Sequence, residues 1–575
     1  MEILLVATAF NSLTQRVFTA LRDRGHTVGV ELALDDEALR QAVRLATPDL
    51  IVAPMLTTAI PADIWSSVTC LIVHPGPLGD RGPSSLDRAI SDRARQWGVT
   101  VLQAEAEMDA GPVWASVPCP LPAAGKSDLY RNEIADAALD AVLLAVARFA
   151  SGSHTPRSQD EPSIAAAVRT RPRLAQDERR IDWESDPTET VLRTLRAADS
   201  QPGVLDELLG GEWFLHGGHA EDRLRGEPGE LLATRAGGIC RATVDGAVWI
   251  PQLRPRRSPG GPRTFTLPAV TALGDRLPAL PAAPVDPASA AEEGRRTWSD
   301  IRYRESGTTG FLSFSFPGGA MSTDHCRRLL AAYRDACTRP TSVLVLGGQR
   351  DFFSNGMQLN VIEAAADPAA ESWANITAMD DLVEAVLTTT DRLVVAALGG
   401  NAAAGGAMLA LAADEVWCRA GAVLNPHYRL MGLYGSEFWT RTLPRRAGAA
   451  AARALTERAL PVSADRAARL GLVDRVLPCS AAGFTAEVTS LAVRLAATAG
   501  SRARIAAKKT DLDRAEQDRP LSAYRAAELA EMRAVFFDPA APYHALRRAF
   551  VRKEKLAATP GHLPGLRELR PSGGE

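Results

Sequence analysis

The chain has 575 residues, of which 46% are hydrophobic, and its 65 basic and 68 acidic side chains give a formal net charge of −3. This length is too great for a single hydrophobic core and predicts roughly three or four domains. The nearly balanced charge excludes a chain-wide basic field of the kind that recruits nucleic acid or an anionic membrane.

The first residues and the cysteines indicate the compartment. The opening stretch, MEILLVATAF, runs directly into a strand-like segment and lacks the basic region and cleavage site of a signal peptide. The seven cysteines are scattered, without a CxxC pair or a cluster with histidine. We therefore expect a cytoplasmic protein with reduced thiols, no metal site, and neither a membrane nor a nucleic acid as partner.

Residues 1–155 alternate short apolar runs with amphipathic stretches. The strand-like runs are EILLVAT, TVGVEL, DLIVAP and CLIVHP, and the helix-like stretches include LTQRVFTALRDRG, DDEALRQAVRLAT and SSLDRAISDRARQWG. This alternation predicts an α/β domain with a parallel sheet and helices on both faces. No GxGxxG follows any strand, so a dinucleotide fingerprint is missing.

The remainder of the chain predicts three further segments. Residues 175–270 contain brief strand-like runs separated by glycine and aspartate turns, which predicts a small β-rich domain. Residues 271–295 are rich in proline and alanine and predict an extended linker. Residues 296–575 read as a second α/β domain whose end is largely helical.

Two polar residues close strand-like runs of the first domain. His74 ends CLIVH and is followed by PGPLGDRG, and Asp109 lies in the turn DAGP. A lone histidine is more often a core residue, and an aspartate near a turn is commonly a cap. Ligands of parallel sheets, however, bind beyond the carboxyl ends of the strands. Together the two residues predict a general acid/base pair.

The segments around these residues resemble the folate-dependent formyltransferases. The resemblance is carried by HPGPLGDRGPSS, by GVTVLQAEAEMDAGPVWAS and by IDWESDPTETVLRTLRAADSQPG, which is similar to the start of that family's C-terminal β-barrel domain. It implies attack on the formyl group of 10-formyltetrahydrofolate, with His74 stabilising the oxyanion while Asp109 orients it and manages protons. It further implies a folate- or passage-lining role for Gln15, Arg16, Arg131, Ser200 and Gln201.

Ile72 departs from the formyltransferase pattern. That family has an asparagine two residues before the histidine, and this chain has Ile72. Losing one such oxyanion donor typically raises the barrier by about 2.7–4 kcal/mol. Either another donor substitutes, with Gln103 as a candidate, or the nucleophile is stronger than water or an amine. We favour a thiol nucleophile.

Two glycine-containing turns predict a second site. They lie in FFSNGMQLN, residues 352–360, and GNAAAGGAMLALAAD, residues 400–414. They fit either close backbone packing or backbone amides that stabilise an oxyanion with the help of a helix dipole.

The two turns together resemble the crotonase (enoyl-CoA hydratase/isomerase) superfamily. The resemblance implies an oxyanion hole for a coenzyme A thioester, built from the Met357 and Gly405 amides. Met408 stands where hydratases have their first catalytic glutamate, which speaks against enoyl-CoA hydration. The segment NPHYRLMGLYGSEFW supplies Tyr428 and Glu437 as catalytic candidates, with His427 behind them.

The two halves in one chain resemble the HypX/HoxX family of nickel–iron hydrogenase maturation factors. Segments such as LRAADSQPGVLDE, ESWANITAMDD and LNPHYRLMGLYGSEFWTRTLPRR carry this resemblance. It implies synthesis of the carbon monoxide ligand of the hydrogenase iron and contact with other maturation factors. The expected reactions are formyl transfer from 10-formyltetrahydrofolate to coenzyme A, and then decarbonylation of formyl-CoA by Glu437 and Tyr428, either of which could be the base.

Two alternatives remain for the crotonase-like half. It could hydrolyse formyl-CoA to formate, or it could act only as a coenzyme A-binding scaffold, because the usual glutamate is replaced by Met408.

Overall fold

The structure, a computed structural model, describes residues 1–566 and divides the chain into two compact units. The first unit contains residues 1–218 together with a segment that starts at Lys555, and the second contains residues 219–554. The predicted β-rich range 175–270 is thus divided between the units, and its limits as a separate domain stay a prediction. No helix in residues 1–566 has the length and hydropathy of a membrane span.

The first unit is built on a six-stranded sheet with the strand order β2-β1-β3-β4-β6-β7. The strands of this unit, including four outside that sheet, are β1 (Glu2–Ala7), β2 (Thr27–Leu32), β3 (Leu50–Ala53), β4 (Cys70–His74), β5 (Asp80–Arg81), β6 (Gln96–Gln103), β7 (Val113–Pro120), β8 (Arg169–Thr170), β9 (Val204–Leu208) and β10 (Gly211–His216). The first four strands of the sheet are parallel, as predicted, whereas β6 and β7 are antiparallel to their neighbours.

Helices connect these strands. They are α1 (Ser12–Asp23), α2 (Asp36–Ala46), α3 (Ala62–Trp65), α4 (Ser85–Ser91), α5 (Lys126–Arg131), α6 (Glu133–Ser151), α7 (Pro162–Ala165) and α8 (Thr188–Ala198). Helix α1 begins where the Asn11 side chain accepts the Thr14 amide, and it buries Val17, Phe18 and Leu21. The predicted helix SSLDRAISDRARQWG is shorter than expected, because its last residues belong to β6.

Residues 555–566 cover the edge of the first sheet. The edge strand β2 donates its Val30 amide to the Pro564 carbonyl and its Leu32 amide to the Thr559 hydroxyl, each at 3.0 Å. Leu566 is buried in the same hydrophobic cluster as Leu4 and Ile51. An exposed edge strand is prone to pair with other chains, and this segment protects β2 from such pairing.

The second unit contains a small four-stranded sheet, a larger six-stranded sheet and surrounding helices. The small sheet has the order β11-β14-β13-β12, and the larger one has the order β17-β18-β19-β20-β22-β25, in which all pairs after the β17–β18 hairpin are parallel. The strands are β11 (His219–Glu221), β12 (Leu231–Arg235), β13 (Gly238–Ala242), β14 (Ala247–Ile250), β15 (Gln252–Pro255), β16 (Leu267–Pro268), β17 (Ile301–Ser306), β18 (Thr309–Phe314), β19 (Val343–Gly347), β20 (Leu393–Leu398), β21 (Ala402–Ala403), β22 (Glu415–Arg419), β23 (Val423–Asn425), β24 (Val462–Ser463) and β25 (Arg475–Leu477).

Thirteen α-helices belong to this part of the chain, and the last four confirm the predicted helical end. They are α9 (Ala269–Leu273), α10 (Pro287–Ala290), α11 (Thr323–Thr338), α12 (Leu359–Ala364), α13 (Pro368–Leu387), α14 (Gly405–Leu411), α15 (Trp439–Ala447), α16 (Ala449–Arg458), α17 (Ala464–Arg469), α18 (Phe484–Ala497), α19 (Ala499–Asp518), α20 (Leu521–Phe536) and α21 (Pro542–Val551). The core of this unit lies between the larger sheet and helices that include α11, α13 and α14.

Candidate active sites

His74 lies at the carboxyl end of β4 and is buried. Its Nε2 is 3.0 Å from Asp80 Oδ1, and its Nδ1 is 3.6 Å from Asp109 Oδ1. Asp109 is held by the Gly82 amide, which donates to Asp109 Oδ2 at 3.0 Å. The structure thus brings the two predicted residues, His74 and Asp109, together.

The path by which Asp109 reaches His74 differs from the prediction. Because β6 runs antiparallel to β4, the end of β6 at Gln103 lies beside Leu71, three residues before His74. The loop that follows β6 turns back and places Asp109, with a φ of 59°, beside the histidine. Asp109 therefore comes from a returning loop and not from the end of a neighbouring parallel strand.

Sequence reasoning missed Asp80 as a partner of His74. The Asp80 side chain is buried, and its second oxygen accepts the Arg171 Nε–H at 2.6 Å. Gly76 makes room for this pair, because a Cβ at that position would lie 2.5 Å from both His74 Nε2 and Asp80 Oδ1. Asp80 therefore fixes the orientation of the imidazole, as the aspartate of a catalytic triad does. The signal for it was the aspartate in the quoted stretch HPGPLGDRG.

Ile72 and Gln103 lie on opposite faces of the sheet. Residues that pair directly across antiparallel strands share a face, and alternate residues of a strand share a face. His74 pairs with Thr100 and Ile72 pairs with Leu102, whereas Gln103 pairs with Leu71. Gln103 is therefore on the face away from His74, where its side-chain oxygen accepts the Trp114 indole N–H at 3.2 Å. The structure does not bring it to the site as a substitute donor.

Of the five residues predicted to line a folate or passage surface, Arg131 lies in α5, and Arg16 and Gln201 contact that helix. Arg16 is buried and paired with Asp136, and it donates to the Arg131 carbonyl at 3.3 Å. Lys126, at the start of α5, donates to the Gln201 carbonyl. The remaining two are Gln15, whose side chain donates to the Phe10 carbonyl at 2.9 Å, and Ser200, which is exposed. Their role toward a ligand stays a prediction.

The second site begins at the first turn of α14. Met321 and Met357 form an isolated parallel β-bridge, in which the Met321 amide donates to the Gly356 carbonyl and the Gln358 amide donates to the Met321 carbonyl. The Met357 amide therefore points away from this bridge. Gly405 is the first residue of α14, where an amide has no partner within the helix. The two backbones approach closely, because a Cβ at Gly356 would lie 3.3 Å from the Gly405 nitrogen. This arrangement fits two amides that serve one oxyanion.

Glu437 faces the same helix start. A Cβ added at Gly405 would lie 2.2 Å from Glu437 Oε1, so this oxygen lies directly against Gly405. The other oxygen, Oε2, accepts the Tyr428 hydroxyl at 2.7 Å and the Ser436 amide at 3.2 Å. Burial and the nearby Asp380 raise the pKa of Glu437 well above its ordinary range. The structure thus brings Glu437, Tyr428 and Gly405 together.

Tyr428 is the donor in its contact with Glu437. Burial and the neighbouring Glu437 raise the pKa of the Tyr428 phenol well above its ordinary value, so the phenol keeps its proton at neutral pH. Its hydroxyl lies within reach of both the Ser436 carbonyl and the Glu437 carboxyl. His427 precedes it and is buried.

Met408 fills the hydrophobic core. It is fully buried in α14 and belongs to the main hydrophobic cluster of this unit, together with Met379 and Phe438.

Sequence reasoning missed Asp380 and Glu528, two buried carboxylates that accept hydrogen bonds from the backbone around Glu437. Within residues 1–566, no three side chains of His, Cys, Asp and Glu are grouped to hold a metal ion.

Comparisons with known families match the two sites to two different kinds of protein. Residues 13–146 match the formyl transferase family, and residues 173–261 match the formyl transferase C-terminal domain. Residues 318–554 match the enoyl-CoA hydratase/isomerase family. The methionyl-tRNA formyltransferase of Roseiflexus castenholzii is 32% identical over 186 residues, which are 32% of this chain and 58% of that protein.

Two comparisons extend over the whole chain. The hydrogenase maturation factor HoxX of Bradyrhizobium diazoefficiens is 46% identical over 576 residues, which cover 100% of this chain and 98% of that protein. The crystal structure of HypX from Aquifex aeolicus in complex with tetrahydrofolic acid has 41% sequence identity and a TM-score of 0.94, with 100% of both chains covered. The chain therefore belongs to the HypX/HoxX family of hydrogenase maturation factors.

Proposed function

We propose that this chain makes carbon monoxide for the iron centre of nickel–iron hydrogenase in two steps. The first unit transfers a formyl group from 10-formyltetrahydrofolate to coenzyme A, and the second splits formyl-CoA into carbon monoxide and coenzyme A. The observation that carries the proposal is the contact of Glu437 Oε1 with the first residue of α14, beside the two amides that suit a thioester oxygen. Delivery of the product implies contact with other maturation factors.

The His74 site supports the first step. The thiol sulfur would attack the formyl carbon, the bond from that carbon to the folate nitrogen would break, and the nitrogen would receive the thiol proton. His74 Nε2 contacts Asp80 Oδ1 at 3.0 Å. Nδ1 is therefore the ring nitrogen that would face the developing oxyanion. Asp109 Oδ1 lies 3.6 Å from Nδ1, slightly beyond hydrogen-bond distance, and catalytic contacts of this kind tighten when the substrate binds.

Folate in the first unit is supported by the relative from Aquifex aeolicus, whose structure holds tetrahydrofolic acid. Ile72 packs against the apolar cluster of this unit and supplies no hydrogen bond, which suits a thiol better than a weaker nucleophile. A thiol such as that of coenzyme A resembles cysteine, with a pKa of about 8.5, and its thiolate is a strong nucleophile.

The Glu437 site supports the second step. The Met357 and Gly405 amides would hold the formyl oxygen, and Glu437 would remove the proton from the formyl carbon. The carbon–sulfur bond then breaks, its electron pair stays on sulfur, and the proton returns to sulfur, so formyl-CoA becomes carbon monoxide and free thiol. We assign the base to Glu437, because Tyr428 donates its own proton toward Glu437 Oε2. Burial of the pair excludes water, which would otherwise hydrolyse the thioester.

Trapping the product tests this proposal. The protein is incubated with 10-formyltetrahydrofolate and coenzyme A, and carbon monoxide is captured by reduced haemoglobin while formate is measured in parallel. Carbon monoxide in proportion to tetrahydrofolate supports the proposal. Formate without carbon monoxide would favour the hydrolytic alternative and exclude decarbonylation.

Met408 favours a second candidate, in which the crotonase-like unit only binds coenzyme A. The methionine is fully buried where related hydratases would have an acid, so this unit could have lost its chemistry. Tyr428→Phe and Glu437→Gln distinguish the two, since both keep the size of the side chain. Unchanged carbon monoxide output in both variants would establish the scaffold role.

A further inference from the structure

The turn that carries Glu437 is conformationally strained. Glu437 has a φ of 61° and Phe438 a φ of 59°, so two consecutive residues with side chains adopt the left-handed region. Each such residue costs about 1 kcal/mol or more and persists only where its surroundings hold it. The contacts that hold this turn therefore also decide where the Glu437 carboxyl lies.

Two buried carboxylates bind the amides of this turn. Asp380 Oδ1, from α13, accepts the Glu437 amide at 2.8 Å and the Ser436 hydroxyl at 2.7 Å. Glu528, from α20, accepts the Phe438 amide at 2.8 Å on Oε2 and the Thr440 amide at 2.9 Å on Oε1. Successive amides therefore donate to different carboxyl groups.

The charges around Glu437 are mainly negative. Asp380 and Glu528 face it from α13 and α20, Tyr428 donates to it, and Cys326 faces it from α11. Arg525, the cation beside Asp380, is 3.8 Å from it and is shared with Asp381 and Glu384. A carboxyl in this surrounding binds a proton more tightly than an exposed one.

We infer that Asp380 and Glu528 are positioning residues, which hold the Glu437–Phe438 turn so that the Glu437 carboxyl stays against Gly405. Their contacts with three backbone amides and the full burial of both side chains carry the inference. Asp380 also adds a negative charge beside Glu437 and so tunes its proton affinity. The inference rests on the proposed role of Glu437 in the decarbonylation.

The experiment measures carbon monoxide release from added formyl-CoA by the full chain over a range of pH. Asp380→Ala removes the acceptor of the Glu437 amide, and we expect kcat to fall by about 10²-fold with little change in KM, because the base is misplaced. Asp380→Asn keeps an acceptor oxygen but removes the charge, so we expect most of kcat to remain and the acid limb of the pH profile to move to lower pH. In Glu528→Gln, one of the two accepting oxygens becomes an NH2 group, which cannot accept a hydrogen bond from a backbone amide of the turn. We therefore expect this variant to have a lower kcat.

Asp300→Asn is the matched control. Asp300 is a buried carboxylate of the same unit, and its partner is Arg328, outside the site. We expect Asp300→Asn to leave the pH profile of carbon monoxide release unchanged. If the role of Asp380 were purely structural, Asp380→Asn would lower the folded fraction of the protein without moving that profile. An unmoved profile for Asp380→Asn, or a kcat of Asp380→Ala within about twofold of the parent, would overturn the inference.

A crystal structure of Asp380→Ala separates this inference from the proposed function. If the parent protein releases no carbon monoxide from formyl-CoA, the decarbonylase proposal fails, but the structure still reports the place of Glu437. A Glu437 carboxyl displaced from Gly405 supports the positioning role. A carboxyl that stays in place contradicts it.

Discussion

At the scale of single residues, the orientation of His74 depends on Asp80. We expect Asp80→Asn to slow formyl transfer by about 10²-fold or more, because an amide at 3.0 Å from Nε2 can offer a donor where the imidazole needs an acceptor. The measurement is tetrahydrofolate formation with coenzyme A as acceptor. Release of carbon monoxide from added formyl-CoA should be unaffected.

A control for this substitution is Asp92→Asn. Asp92 also contacts Arg171, at 3.2 Å, but its side chain is largely exposed and it does not touch His74. We expect formyl transfer near the parent rate in this variant. An equal loss in both variants would show that Asp80 acts through Arg171 and not through the histidine.

At the scale of elements, the start of α14 has no room for a side chain. We expect Gly405→Ala to lower carbon monoxide release by about 10²-fold or more, because its Cβ would lie 2.2 Å from Glu437 Oε1 and 2.8 Å from Met379 Cε. Formyl-CoA formation should remain at the parent rate. Accumulation of formyl-CoA, followed by chromatography, measures both effects.

Gly500→Ala is the matched substitution in another helix start. Gly500 lies in α19, and a Cβ there would have no atom within 4 Å. Alanine favours a helix by up to about 1 kcal/mol over glycine, so this variant should keep its activity and lose no stability. Equal losses of activity in both variants would contradict the explanation for Gly405.

The elements also show how far the sequence could predict the site. The apolar runs predicted β1, β3 and β4 because a buried parallel strand needs a short continuous apolar stretch. The antiparallel direction of β6 was not predictable from its own residues, since the direction is decided by the loop before it and by pairing with β4 and β7.

Long-range contacts explain what sequence reasoning missed at the second site. Asp380 and Glu528 reach the turn at Glu437 from 57 and about 90 residues away along the chain. Asp380 lies in the quoted segment ESWANITAMDD, but neither its local sequence nor that of Glu528 indicates that the carboxylate is buried against the turn at Glu437. Tyr428 and Glu437 were predictable because the family resemblance covered their own short segment.

At the scale of the whole molecule, the buried carboxylates link stability to pH. Burial raises the pKa of Glu528 from its usual 4.5 to about 7 and that of Asp380 from 3.8 to about 6. The folded state then holds these protons more tightly than the unfolded state. Their contribution to stability is complete below about pH 4 and is lost as the pH rises through about 6 to 7.

We therefore expect the second unit to unfold at a lower urea concentration at pH 8 than at pH 5. Glu528 alone accounts for a difference on the order of 3 kcal/mol in the free energy of unfolding. Glu528→Gln should reduce this pH dependence, and Glu292→Gln, at an exposed position, should leave it unchanged. An identical pH dependence in parent and Glu528→Gln would contradict the assignment.

The segment from Lys555 to Leu566 stabilises the first unit. We expect a chain that ends at Glu554 to lose about 2–3 kcal/mol or more of that unit's stability, because Leu566 leaves the core and β2 loses its cover. Thermal inactivation of formyl transfer measures this loss. A chain that ends at Leu566 is the control, and equal inactivation temperatures of the two chains would refute the prediction.

The same segment determines when the first unit can be completed during protein synthesis. Residues 1–218 leave the ribosome early, yet the cover of β2 is translated only after the whole of the second unit. Since domains fold as the chain emerges, the first unit acquires its last edge contacts only when the second unit has already been translated. An interrupted translation product would thus lack a completed first unit. Under the proposed function, such a product would release little of a thioester that no second unit on the same chain could use.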